Sequence, residues 1–284
     1  MYQAQISRAN PSAFVFLVDQ SASMREPWGA ETGKAKADAV ATILNRLLQN
    51  LVLRCAKEEG IRDYYSVAVV GYGASVGSAL GGTLAGEDLV AISKLGNSPI
   101  RVDDVTKKVD DGAGGILEQT VRLPIWVDPK AENGTPMTAA FGYARSLLEP
   151  WVQSHPDSLP PIVVNITDGA PTDGDPTAAA EMLKQLATSD GPVLLFNVNI
   201  SAGAGAPIEY PSNPEVLPDD HARLLFAISS PLPPYMRTAA AEEELRVEED
   251  SRGFTFQGDP VATIRFLDIG TRPVNMAAVD APAT

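Results

Sequence analysis

Residues 14–18, Phe-Val-Phe-Leu-Val, form an unbroken apolar run that stops at a carboxylate, Asp19. A second run, Ile162-Val-Val-Asn-Ile-Thr167, stops at Asp168-Gly169. Short runs of this kind, with no polar face, predict strands buried on both sides. Such strands belong to parallel sheets with helices packed above and below. Parallel strands bring their carboxyl ends to one edge, where open α/β sheets bind ligands. Each run therefore delivers an acid to that edge.

The rest of the chain alternates in the same way. The first strand is expected at about 13–18, and a helix over roughly 32–56 carries Ala39, Val40, Ile43, Leu47, Leu48 and Leu51 at helical spacing. A strand at 65–70 is expected to pair with residues near 77–84. Helices follow over 137–154, 176–188, near 219–229 and near 259–267, with strands at 162–167, 193–200 and 253–256. This order implies an α/β fold, a doubly wound, mostly parallel sheet with helices on both faces. The 284 residues suffice for one domain with an ample core. The expected core spans about 13–269. Within it, 86–132 has no long periodic pattern and reads as an insertion, with Leu123–Val127 a strand or an extended loop. A polar C-terminal tail follows.

The chemistry gathers at the strand ends. Asp19-x-Ser21-x-Ser23 places three oxygen donors in a short loop. Hard carboxylate and hydroxyl oxygens suit Mg²⁺. Asn133-Gly134-Thr135-Pro136-Met137 precedes the apolar-periodic stretch Ala139–Leu148, which sets Thr135 in a loop opening a helix. With Asp168-Gly169, these segments resemble the von Willebrand factor A (vWA) family and its metal-ion-dependent adhesion site. The resemblance implies a single vWA, Rossmann-like domain over 1–284 with one antiparallel edge strand, for which 71–84 would supply the hairpin. It implies Asp19, Ser21, Ser23, Thr135 and Asp168 as metal ligands, Mg²⁺ as the cofactor with Mn²⁺ or Ca²⁺ as replacements, and a partner carboxylate in the open coordination position. The phrases Ile-Thr-Asp-Gly, Asn-Gly-Thr-Pro-Met and Leu-Leu-Phe-Asn are similar to bacterial cytoplasmic members of tellurite-resistance and stress-response systems. A kinase or phosphatase of the same system is then the implied partner.

Other chemistries fare worse. The net charge of −14 and the lack of a Lys/Arg cluster argue against nucleic acid. No run of 18 apolar residues suggests a membrane span, and the first residues lack the regions of a signal peptide, so a cytoplasmic setting is expected. Cys55 is the only cysteine; on an apolar helical stretch it reads as a small core residue. A serine hydrolase needs a base, yet His155 and His221 sit in turn contexts that suggest surface or capping roles. Gly71-Tyr-Gly-Ala-Ser-Val-Gly77 departs from nucleotide-binding spacing, and Gly33-Lys34 is followed by Ala35, so no Walker loop exists. Asp173 and Asp175 are expected to form a turn and cap the helix near Pro176. The leading expectation is a binding module, not an enzyme. A metal-assisted phosphoester hydrolase using Asp19 and Asp168 is the alternative, weakened because only Arg25 lies close in sequence; a metal-free scaffold is another. The binding face is expected to include Met24–Trp28, with Trp28 as an aromatic anchor or a packed residue, together with 170–175 and part of 103–115. Its acids are Asp103, Asp104, Asp110, Asp111, Asp173 and Asp175.

Overall fold

The apolar runs form the middle of a sheet, because their residues have no polar face to turn toward water. The computed structural model describes residues 1–28, 33–110, 116–201 and 205–272. In chain order its elements are β1 (Ser12–Asp19), α1 (Lys36–Cys55), β2 (Tyr65–Tyr72), β3 (Val76–Ser78), β4 (Val90–Ala91), α2 (Ile92–Gly96), β5 (Arg101–Asp110), β6 (Ile116–Ile125), α3 (Met137–Ser154), β7 (Ile162–Thr167), α4 (Thr177–Lys184), β8 (Leu194–Ile200), β9 (Ile208–Glu209), α5 (Asp220–Ile228), α6 (Pro234–Glu242), β10 (Phe254–Gly258) and α7 (Pro260–Gly270). A 3₁₀ turn, Ala22–Arg25, follows β1.

The main sheet has the order β9-β10-β8-β7-β1-β2-β3, with β4 also on β2. Strands β10, β8, β7, β1 and β2 run parallel. The antiparallel additions are short and lie toward the edges: β3 and β4 on β2, and β9 on β10. The expected hairpin after residue 70 is β2–β3. Alternate residues of the central strands feed two cores. Phe14, Phe16, Val18, Val164 and Ile166 pack with α1, α2, α6 and α7. Ala13, Val15, Leu17, Val163 and Leu195 pack with α3, α4 and α5. Both faces are thus covered, as all-apolar strands require. Asp219 and Asp259 cap α5 and α7 by accepting from the amides of Ala222 and Ala262, each at 2.7 Å.

A line of polar side chains crosses the core on the α3–α5 face. Tyr72 Oη, reaching over β1, donates to Asn165 Oδ1 at 2.6 Å. Asn165 Nδ2 donates to Asn197 Oδ1 at 2.9 Å, and Asn197 Nδ2 donates to Ser229 Oγ at 2.9 Å.

Short elements such as β4, α2 and β9 were not expected, and the helix expected over 176–188 ends at Lys184; two larger departures matter more. Within 86–132, β5 and β6 form a long antiparallel hairpin that pairs from Arg101 with Ile125 to Asp110 with Ile116, apart from the main sheet. Its base is pinned by buried Asn45, which accepts from the Trp126 amide (2.8 Å) and donates to the Val127 carbonyl (2.9 Å). Hairpin and α1 flank a cleft of about 450 Å³ lined by Lys34, Asp38, Arg46, Arg101 and Asp103 among others. Helix α6 is the second departure: it starts at Pro234, its proline in the first turn, where a missing N–H costs nothing. The acidic run from Glu242 to Asp250 begins at the end of this helix and continues as loop. The tail from residue 273 lies outside the described residues. Cys55 is fully buried, and burial pushes its thiol up to about 12. No helix among the described residues is long and apolar enough to cross a membrane.

Candidate metal centre

Strand register builds the site. In the parallel pairing, Val18 of β1 lies opposite Ile166 of β7, so the next pair outward is Asp19 and Thr167. Thr167 Oγ1 donates to Asp19 Oδ2 at 2.7 Å, and the Ser21 amide donates to Asp19 Oδ1 at 2.8 Å. Asp19 is fully buried. Burial raises its pKa to about 6; the hydrogen bonds from Ser21 and Thr167 oppose that shift, and the charge of Asp168 adds to it.

One step further, Ser21 Oγ and Ser23 Oγ lie 3.0 Å apart, and Ser23 Oγ donates to Asp168 Oδ1 at 2.7 Å. Thr135 comes from the other side. Its amide donates to Thr172 Oγ1, and the Thr172 amide donates back to the Thr135 carbonyl, both at 2.9 Å. This staple explains Gly134, because a Cβ there would lie 2.8 Å from Thr172 Oγ1. The turn into the loop uses Asn133 at φ +61°, a conformation that asparagine tolerates. Its carbonyl accepts from the Ala22 amide at 2.9 Å, tying the Thr135 loop to the serine loop.

All five expected donors therefore meet at one edge. Their geometry fits a small hard cation in two respects. An octahedral ion with metal–oxygen distances of about 2.1 Å sets neighbouring oxygens about 3.0 Å apart, which matches the Ser21–Ser23 separation of 3.0 Å. A Cβ on Gly169 would lie 3.6 Å from Thr135 Oγ1 and 3.9 Å from Ser23 Oγ. Both hydroxyls thus face a space that the missing side chain leaves open. A Cβ at 169 would make only ordinary van der Waals contact with either hydroxyl, so glycine widens the space without being required for backbone approach.

Several residues of the site were not evident from sequence. Thr167 and Thr172 hold Asp19 and Thr135. Lys36, at the start of α1, places Nζ 2.8 Å from Asp168 Oδ2 and 2.9 Å from Glu26 Oε2. Its side chain is only 5% exposed. Burial opposes its charge, but the hydrogen bonds and negative charges of Asp168 and Glu26 together outweigh burial and raise its pKa. A lysine opening a helix opposes the positive end of the helix dipole, and that was the available signal. Arg25, the cation nearest in sequence, instead donates to the Ala131 carbonyl at 2.9 Å.

The expected binding face needs correction. Trp28 is fully buried and donates Nε1 to the Gly258 carbonyl at 3.1 Å, so it is a core residue and no surface anchor. Asp173 does not serve the helix near Pro176. Its carboxylate accepts from the Thr138 and Ala139 amides, at 3.1 and 2.9 Å, and caps α3. Asp175 does serve α4, accepting from the Thr177 amide at 2.9 Å. Asp103 pairs with Arg101 at 3.1 Å, Asp111 lies outside the described residues, and nothing is described of the Asp110 side chain. His155 stacks on Trp151 at the end of α3. His221 is half-buried: both ring nitrogens are shielded from solvent without a well-formed hydrogen bond, near the Gly169 backbone, and burial lowers its pKa.

No protein-family model matches the chain, and no curated protein sequence is significantly similar to it. Solved structures are similar to it at low identity. The von Willebrand factor type A protein of Catenulispora acidiphila is 14% identical over 76% of this chain, with a TM-score of 0.40. The ArnB paralog VWA2 of Sulfolobus acidocaldarius is 12% identical over 67%, with a TM-score of 0.36. The vWF domain of the type V pili tip protein Mfa5 of Porphyromonas gingivalis is 13% identical over 57%, with a TM-score of 0.31. The chain spans 37%, 35% and 39% of the length of these three structures. What the molecule itself displays is a mostly parallel, helix-covered sheet with two acids and three hydroxyls at its carboxyl edge.

Proposed function

We propose that the chain is a metal-dependent protein-binding module, with Asp19, Ser21, Ser23, Thr135 and Asp168 as the set that holds a divalent cation, Mg²⁺ foremost. The observation that carries this reading is the hydroxyl pair over Gly169, linked through Ser23 to Asp168. When bound, the ion supplies an electrophilic position that a carboxylate of a partner protein can fill. The chain's own residues do the rest. Asp19 orients the Ser21 amide, Asp168 holds the Ser23 hydroxyl, and the Thr172 staple keeps Thr135 over the site. The partner surface would carry one acidic ligand residue among basic ones, given the net charge of −14. The local phrases shared with stress-associated vWA proteins favour a bacterial, cytoplasmic assembly that includes a kinase or phosphatase.

Calorimetric titration of the chelator-treated protein tests the reading. Heat of binding at up to millimolar Mg²⁺ is expected in the wild type and absent in Asp19→Ala with its fold retained. No heat in the wild type, alone or with a partner, overturns it. A metal-assisted phosphoester hydrolase stands second on one observation: Lys36 places a cation beside Asp168. That ammonium is already shared with Glu26, and turnover of an aryl phosphate with Mg²⁺ decides the matter.

A further inference from the structure

Lys36 opens α1, where the helix dipole disfavours a cation, so helix formation does not account for it. Its side chain turns inward instead. It touches Asp168 Oδ2 at 2.8 Å and Glu26 Oε2 at 2.9 Å, and its amide also donates to the Glu26 carbonyl at 2.9 Å. The Asp168 side chain is fully buried, and its other oxygen accepts from Ser23. Asp168 is thus claimed from two directions, by the ammonium and by the hydroxyl set that would hold an ion.

We propose that Lys36 is a tethered cation that competes for Asp168 and so sets the divalent-ion affinity of the site. The inference rests on the metal-centre reading above and adds its regulation. Two acids, Asp168 and Glu26, share one base here, and Asp19 is linked to Asp168 through Ser21 and Ser23. The ammonium keeps the buried Asp168 neutralised when no ion is bound, which lets the loops stay folded without metal. The same contact opposes an ion, because like charges repel and one carboxylate oxygen is already taken. A residue that merely pinned Glu26 and the serine turn would do the reverse: its loss would loosen Ser21 and Ser23 and weaken ion binding. The direction of the affinity change therefore separates the two roles.

The experiment is Mg²⁺ and Mn²⁺ titration of the full chain by calorimetry after chelation, on wild type, Lys36→Met and Lys36→Arg. Lys36→Met is expected to tighten Kd on the order of tenfold or more, whereas Lys36→Arg keeps the charge and stays within a few-fold of wild type. Unchanged or weaker binding in Lys36→Met, with a native circular dichroism spectrum, overturns the proposal and leaves the metal reading standing. No heat in any form overturns both. Should Lys36→Met fail to fold, Glu26→Gln answers the same question: it removes the second acid and leaves the ammonium to Asp168 alone, so ion binding should weaken several-fold. Unchanged or tighter binding there overturns the proposal.

Discussion

In the absence of metal, replacing Asp19 by asparagine should stabilise the fold. Asp19 is fully buried, and its pKa lies at about 6 against an ordinary 3.8. The shift is roughly two units, and each unit corresponds to about 1.4 kcal/mol, so holding the carboxylate ionised at neutral pH costs the fold about 3 kcal/mol at most. Asparagine removes the charge and can keep the hydrogen bonds. Its Oδ1 accepts from the Ser21 amide, and its Nδ2 donates to Thr167 Oγ1, whose hydrogen turns to the Gly169 carbonyl at 3.1 Å. A net gain of about 1–3 kcal/mol is expected, or about 2–4 °C in Tm for each kcal/mol. The sign with pH follows from a folded pKa above the unfolded one: this group's stability is fully present below about pH 4 and is lost as pH rises through about 6. Denaturant titration in chelator, followed by the fluorescence of the buried Trp28, Trp126 and Trp151, measures the difference at about pH 8 and about pH 4. The gain should vanish at the lower pH, and added Mg²⁺ should stabilise only the wild type. A variant no more stable than wild type at the higher pH would refute the claim that an uncompensated buried charge sits at this edge.

Three further outcomes follow from packing. Val164→Asp puts a lone charge into a fully buried strand position and should unfold the domain at a cost of several kcal/mol, seen as loss of the cooperative circular dichroism transition. Trp28→Ala should cost about 3–5 kcal/mol of stability, read by denaturation; a stable variant defective only in binding would restore it as an interface residue. Asp173→Ala removes the cap of α3 and should lose about 1 kcal/mol, while Asp175→Ala leaves that helix untouched.

The sheet was legible because β1 and β7 bury both faces, which forces unbroken apolar runs. Helix α3 was legible through its apolar period, to its observed limits at 137 and 154. The β5–β6 hairpin was not, since Arg101-Val-Asp-Asp-Val-Thr-Lys-Lys-Val-Asp110 mixes polar residues onto both faces of a ribbon outside the main sheet. Helix α6 hid behind Pro231, Pro233 and Pro234, which read locally as breakers. The five donors were visible because each belongs to a short local pattern. Thr167, Thr172 and Lys36 were not, because their roles depend on strand register or on loops that meet from distant parts of the chain, 37 residues apart for Thr172 and Thr135 and 132 for Lys36 and Asp168.

The Tyr72–Asn165–Asn197–Ser229 line has a consequence for how such a chain can diverge. Replacing any one member by an apolar residue strands its neighbour in the core, at about 1–3 kcal/mol. Replacing the whole line by apolar residues of similar shape is nearly neutral by the same reasoning. Single changes thus lead downhill and concerted ones lead across, so descendants should carry either the complete polar set or none of it.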